Sequence, residues 1–240
     1  MSDPKQTNPD PQQILPDYWL MRPQVNLDAA TRHAFDRLLK PLMVANANTL
    51  VDYRLEAPRW QFLCYATEKY PITLHGSGNA QIAIFEPRQP VDLGTFGNQK
   101  AVYATEDGIL AMFFAIVDRD RYPMWVNNAC VRLVDASGQS SPPFYVFSVS
   151  KQFLSQQPWR KGTVYLLPKD TFRQQPPMSF GAYQVLIAQS ASPEPVRPIA
   201  RLEVAPQDFP FLAQIRPHDD DRIREYGQAM QTGAPWPDEK

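Results

Sequence analysis

The sequence predicts an α+β chain in which a helical N-terminal part precedes a mostly antiparallel sheet. Three observations carry this reading. Apolar residues recur at helical spacing in "NLDAATRHAFDRLLKPLMVANA" and "PRWQFLCYATEKYP". From residue 71 the texture changes to eight short runs rich in Val, Ile, Tyr and Phe, separated by turn residues. The chain also carries 25 prolines, which favour turns and extended segments over long helices.

Taken in order, residues 1–16 are polar and proline-rich and are expected to form a disordered tail. The first helix has Asn26 or Asp28 as its N-cap and Pro41 interrupting it. "NTLVDYRL" reads as a strand, and a second helix follows Pro58. The eight runs are "PITLHG", "AQIAIFEP", "KAVYAT", "CVRLVDA", "FYVFSVS", "GTVYLLP", "YQVLIAQ" and "PIARLEV". Between the third and fourth, "TEDGILAMFFAIVDRD" reads as a helix capped by Thr105, with Glu106 and Asp107 complementing its positive end. No internal repeat or interior linker appears. One domain is expected over residues 17–228, with a polar tail over 229–240.

A hydrophobic content of 43% is a globular value, and a net charge of −1 gives no whole-chain attraction to nucleic acid or an anionic membrane. The longest apolar run is about half of what a bilayer crossing needs. No secretory pattern opens the chain, and its two cysteines, Cys64 and Cys130, lack metal-like spacing and are too few for a disulfide framework. A cytoplasmic location is expected, with no metal and no membrane partner.

Three of only 10 glycines (Gly76, Gly78 and Gly97) surround two short motifs. One is His75-Gly76-Ser77, at the end of an apolar run. The other is Phe96-Gly97, leading into Ala101-Val102-Tyr103-Ala104-Thr105. In this order the motifs resemble the front half of the ADP-ribosyltransferase superfamily, in its poly(ADP-ribose) polymerase and diphtheria-toxin-like branch. The resemblance is clear over residues 74–107 and weak elsewhere.

It implies a split, mostly antiparallel sheet and NAD as substrate, without a metal. The implied reaction releases nicotinamide and transfers ADP-ribose to an unidentified protein or nucleic-acid acceptor. By resemblance His75 hydrogen-bonds a ribose hydroxyl, and Gly76 clamps the nicotinamide carboxamide through its backbone. Tyr103 stacks on the ring, with Ser77, Ala104 and Thr105 completing the rim. The family usually places a glutamate on a late strand. Here Gln189 is the residue expected at that place, with Gln184 as the other glutamine of the strand and Glu194 as a second choice in the turn. A neutral amide orients ribose but does not offset positive charge.

That departure raises an alternative: a catalytically weak or inactive module of the same fold that binds NAD, ADP-ribose or a protein. An RNA 2′-phosphotransferase shares the fold but relies on a set of arginines and histidines that three histidines do not assemble. Read singly, the motif residues have ordinary explanations. His75 is a satisfied histidine at a strand–turn junction, Thr105 a helix cap, Gln184 and Gln189 surface strand residues, and "HDDDR" a solvated cap.

Overall fold

The computed structural model describes residues 15–25, 27–45, 47–90 and 95–237. The fold mixes α-helices with largely antiparallel sheets. Helix α1 (Ala29–Ala45) opens on Asp28, whose Oδ1 accepts from the Thr31 N–H at 2.7 Å. Asn26, the other expected cap, lies outside the described residues. The helix runs through Pro41 instead of stopping there, because Phe35, Leu39 and Leu42 bury a single stripe that spans it. Helix α2 (Arg59–Lys69) follows Pro58 as expected.

Helix α3 (Gly108–Ile116) is buried at every residue except Phe114, so it has no polar face and lies inside the molecule. A short helix α4 (Lys151–Leu154) and a C-terminal helix α5 (Ile223–Thr232) complete the set. The segment expected to be a polar tail from residue 229 packs instead. Trp236 is 2% exposed and sits against Tyr18 and Tyr226, with ring centroids 5.1 and 4.8 Å apart. One apolar residue in a polar stretch suffices when two aromatic partners await it. Residues 1–14 and 238–240 lie outside the described residues.

The strands form three sheets. The first holds β2 (Thr49–Leu50), β12 (Ala200–Val204), β7 (Gly162–Pro168) and β3 (Ile72–Ser77), in that order. The second holds β4 (Val102–Ala104), β11 (Ser190–Ser192) and β8 (Arg173–Gln174). The third runs β1 (Leu20–Met21), β6 (Phe144–Ser150), β5 (Val126–Val134), β10 (Tyr183–Ile187) and β9 (Met178–Phe180), with β13 (Arg216–His218) added to β6. Pairing is antiparallel except for β12–β2 and β13–β6.

Two expected strands are reduced. "NTLVDYRL" pairs only at Thr49–Leu50, because Tyr53 N–H turns back onto the Val51 carbonyl at 3.0 Å. "AQIAIFEP" makes a single bridge, Phe85 to Val196. There the Tyr165 hydroxyl takes the place of a partner strand, accepting from Ile82 N–H at 3.0 Å and donating to the Asn79 carbonyl at 2.7 Å.

Candidate functional site

The site predicted from the motifs lies where the first two sheets meet, at the edges of β3 and β4. Helix α3 covers one face of β3 at unusually short range, and glycines make this possible. A Cβ on Gly76 would lie 1.9 Å from the Ala111 carbonyl oxygen and 2.8 Å from the Ala115 nitrogen, both in α3. One on Gly162, in neighbouring β7, would lie 2.0 Å from the Ala115 oxygen. So the glycine of the His-Gly-Ser motif is required first of all by packing.

Its backbone has a second consequence. Leu74 exchanges two hydrogen bonds with Thr105, both 2.8 Å. Among the described residues this is the single bridge between β3 and the β4 segment, and no further backbone pairing joins the two strands. Strand alternation directs the N–H and C=O of Gly76 the same way as those of Leu74, so they face the split. Continuing the register sets Gly76 opposite Tyr103.

The His75 ring reaches across the opening. Its Nδ1 lies 2.7 Å from the Tyr103 carbonyl oxygen. A carbonyl only accepts, so Nδ1 carries the proton. Burial, against the favourable bond to Tyr103 and with help from nearby Arg88, holds the imidazole below its ordinary value, so it is neutral near pH 7. Nε2 therefore keeps its lone pair and acts as an acceptor. The ring also packs on Phe85, with centroids 4.6 Å apart.

This neutrality gives a pH prediction. The unfolded chain takes up a proton on His75 near pH 6.5, while the folded chain resists until lower pH. Below pH 6.5 the unfolded state thus binds more protons, and stability falls as pH drops toward the folded-state value. Urea midpoints measured from about pH 7 down to about pH 5 should decline less steeply in His75→Gln than in the wild type. Parallel curves would show that His75 does not contribute to the acid limb.

The remaining predicted residues divide between roles. The single proton of the Tyr103 hydroxyl is shared within the 96–99 loop between Gln99 O at 2.8 Å and Phe96 O at 3.0 Å, and the oxygen accepts from Gln99 N–H at 2.9 Å. Its ring leaves β4 on the side opposite Val102 and Ala104, which pack in the Phe85 cluster. His75 and Tyr103 therefore meet through the Tyr103 carbonyl, with their rings on different sides of β4. Ala104 is buried, and Ser77 Oγ accepts from Asn79 N–H at 3.1 Å, closing the turn.

Thr105 is not the cap of α3. Its hydroxyl donates to Ala188 O at 2.5 Å and accepts from Asp107 N–H at 3.1 Å, tying β4 to the end of β10. Asp107 is the cap, with Oδ1 accepting from Ile109 and Leu110 N–H, both at 2.9 Å.

Of the late residues, Gln189 stands one step before β11, opposite Thr105 by extension of the Ser190–Ala104 register. Gln184 is elsewhere, paired with Val134 and Ser179 in the third sheet. Glu194 lies in an exposed turn held by Ser192 Oγ. Both cysteine thiols are buried and pushed up by burial, Cys64 to about 12, which removes them as nucleophiles near pH 7.

Sequence reasoning missed a buried charge cluster beside this site. Arg22 donates from Nη2 to Asp107 Oδ2 at 2.6 Å, from Nη1 to Glu68 Oε1 at 2.7 Å, and from Nε to the Tyr145 hydroxyl at 3.0 Å. Tyr145 donates to Asp107 Oδ2 at 2.7 Å. Its residues are 46 to 123 positions from Arg22, so no local pattern announces them. The one sequence signal was an acidic residue followed by glycine at the start of an apolar helix.

Two cavities have volumes of about 290 and 300 Å³, and neither is lined by His75 or Tyr103. Among the described residues no cluster of three His, Cys, Asp or Glu side chains is placed to hold a metal, and no helix is long and apolar enough to cross a membrane. Of the "HDDDR" aspartates, Asp219 caps the turn by accepting from Asp221 N–H and pairs with Lys151. Comparison of the chain with protein-family models, with curated proteins and with solved structures finds no match.

Proposed function

We propose that the chain has an ADP-ribosyltransferase-like fold, binds NAD at the split between β3 and β4 and transfers ADP-ribose to a protein or nucleic-acid acceptor, releasing nicotinamide. The observation that carries the reading is the opening beside His75. A peptide N–H and C=O from one residue, Gly76, face the gap, and they match the acceptor and donors of a primary carboxamide. The neighbouring imidazole presents an acceptor nitrogen suited to a ribose hydroxyl. The Tyr103 ring leaves β4 on the other side from the His75 ring, with its hydroxyl held in the 96–99 loop, so the stacking role expected of it is not part of this reading.

Cleaving the nicotinamide–ribose bond develops positive charge on the ribose, as in glycoside cleavage. Gln189 offers that charge an amide and no carboxylate. On this reading Gln189→Glu raises NAD cleavage by one to two orders of magnitude, equivalent to about 1.4–2.8 kcal/mol of barrier. The experiment follows nicotinamide release and label transfer separately after incubation with labelled NAD. Gln184→Glu is the control and should change nothing, since Gln184 lies in the third sheet.

The amide at Gln189, where the family usually has a glutamate, favours a second reading: a module that binds NAD or ADP-ribose and makes no bond. NAD binding without nicotinamide release in either the wild type or Gln189→Glu decides for it.

A further inference from the structure

We propose that the 300 Å³ cavity above the β5–β10 pair binds a small zwitterion, a molecule carrying one carboxylate and one ammonium group such as a free α-amino acid. This site is not lined by His75, Gly76 or Tyr103 and does not rest on the NAD reading. Its volume is at the small end of ligand pockets, sufficient for an amino acid and too small for a dinucleotide.

The argument runs through which charges around the cavity are already spent. Asp107 is saturated: two helix N–H groups, Arg22 and Tyr145 fill its four acceptor sites. Arg22 is held by three acceptors at once, so it forms a rigid wall rather than a free cation. Glu106 has its charge offset by Lys169, whose Nζ lies 2.8 Å from Oε1, although no hydrogen bond satisfies that oxygen. What remains is Arg132 and Glu68. Arg132 Nη2 and Glu68 Oε1 are 4.0 Å apart, beyond hydrogen-bond reach, and their side chains are 38% and 56% exposed. Arg132 spends one N–H on Ser141 O and Glu68 spends one oxygen on Arg22, so each keeps capacity facing the cavity.

Those two open groups have opposite sign, which selects the ligand class. A lone anion on Arg132 would sit beside Glu68 and Glu106, and a lone cation on Glu68 would sit beside Arg22 and Arg132. Like charges that close cancel the gain. A molecule carrying both charges satisfies Arg132 with its carboxylate and Glu68 with its ammonium. The apolar part of such a ligand has a surface to meet: Leu186, cross-strand neighbour of Arg132, with Cys130 and Ala188 next along the same side.

The test is titration of the full chain with glycine, leucine, glutamate and lysine, read by saturation-transfer NMR and thermal shift. For leucine, 4-methylpentanoate and 3-methylbutylamine serve as matched controls that each keep one charge. At least one zwitterion should bind at or below about 10 mM and raise the melting temperature, with each single-charge control at least about tenfold weaker. Arg132→Gln and Glu68→Gln, both at partly exposed positions that should leave unliganded melting near wild type, should each weaken binding about tenfold or more. The proposal is overturned if no zwitterion of the panel binds, if a single-charge control binds as well as leucine, or if both variants bind like the wild type.

Discussion

Asp107→Asn is expected to destabilise the protein by about 3–5 kcal/mol, the cost of breaking a buried ion pair from one side. The substitution keeps an oxygen for the Ile109 and Leu110 N–H groups, so the helix cap survives. On the other side it sets an NH₂ group against two donors, Arg22 Nη2 and the Tyr145 hydroxyl. Arg22 keeps Glu68 through Nη1, but its Nη2 and the Tyr145 hydroxyl lose their acceptor. Arg22 is 13% exposed, and burial followed by the Asp107 charge pushes the Tyr145 hydroxyl up, so it stays protonated. Urea unfolding measures the loss. Adding Arg22→Met should recover most of it, because an apolar side chain leaves no uncompensated charge. A loss under about 1 kcal/mol would mean that Asp107 and Arg22 do not close the joint between β1, β6 and α3.

Gly76→Ala should cost about 3 kcal/mol or more, at the upper end for overpacking. The added methyl meets the backbone of α3, which no rotamer change can move aside. Helix and strand must separate, and the contacts of Phe113 and Ile116 loosen with them. For a chain of this length, a loss of that size lowers the melting temperature by roughly 6–12 °C. Gly227→Ala is the control. That glycine lies in α5 with nothing within 4 Å of an added Cβ, so the change should be neutral or stabilising by up to about 1 kcal/mol. Equal losses at both positions would trace the effect to glycine itself and not to the approach of α3.

The elements legible in the sequence are those whose signal is local. Helix α3 was readable from an unbroken apolar run after acidic residues, and β3, β5, β6, β7, β10 and β12 from their β-branched and aromatic runs. What failed was decided by distant partners. Thr105 looks like a cap because it precedes "EDG", yet its hydroxyl is claimed by Ala188, 83 residues away, and the role passes to Asp107. "AQIAIFEP" has strand composition but pairs only once, since the Tyr165 hydroxyl serves its backbone. The choice between Gln184 and Gln189 turns on where β10 ends and β11 begins, a break at Ala188–Gln189 that no residue type marks. Within the candidate site, the His75 and Tyr103 motifs were visible because glycines and an aromatic flank them. The Arg22–Asp107–Tyr145 cluster was not, since each member looks ordinary in its own segment.

The central claim is that Gly76 and His75 form the floor of an NAD site. It is tested most directly by titrating ¹⁵N-labelled protein with NAD and following the Gly76 amide together with the His75 ring nitrogens. The account predicts a saturable shift of the Gly76 amide, a change at Nε2 of His75 with Nδ1 unmoved, and a much weakened Gly76 shift in His75→Gln. Saturable NAD binding that leaves Gly76 and His75 unperturbed, or no binding at all, would contradict it.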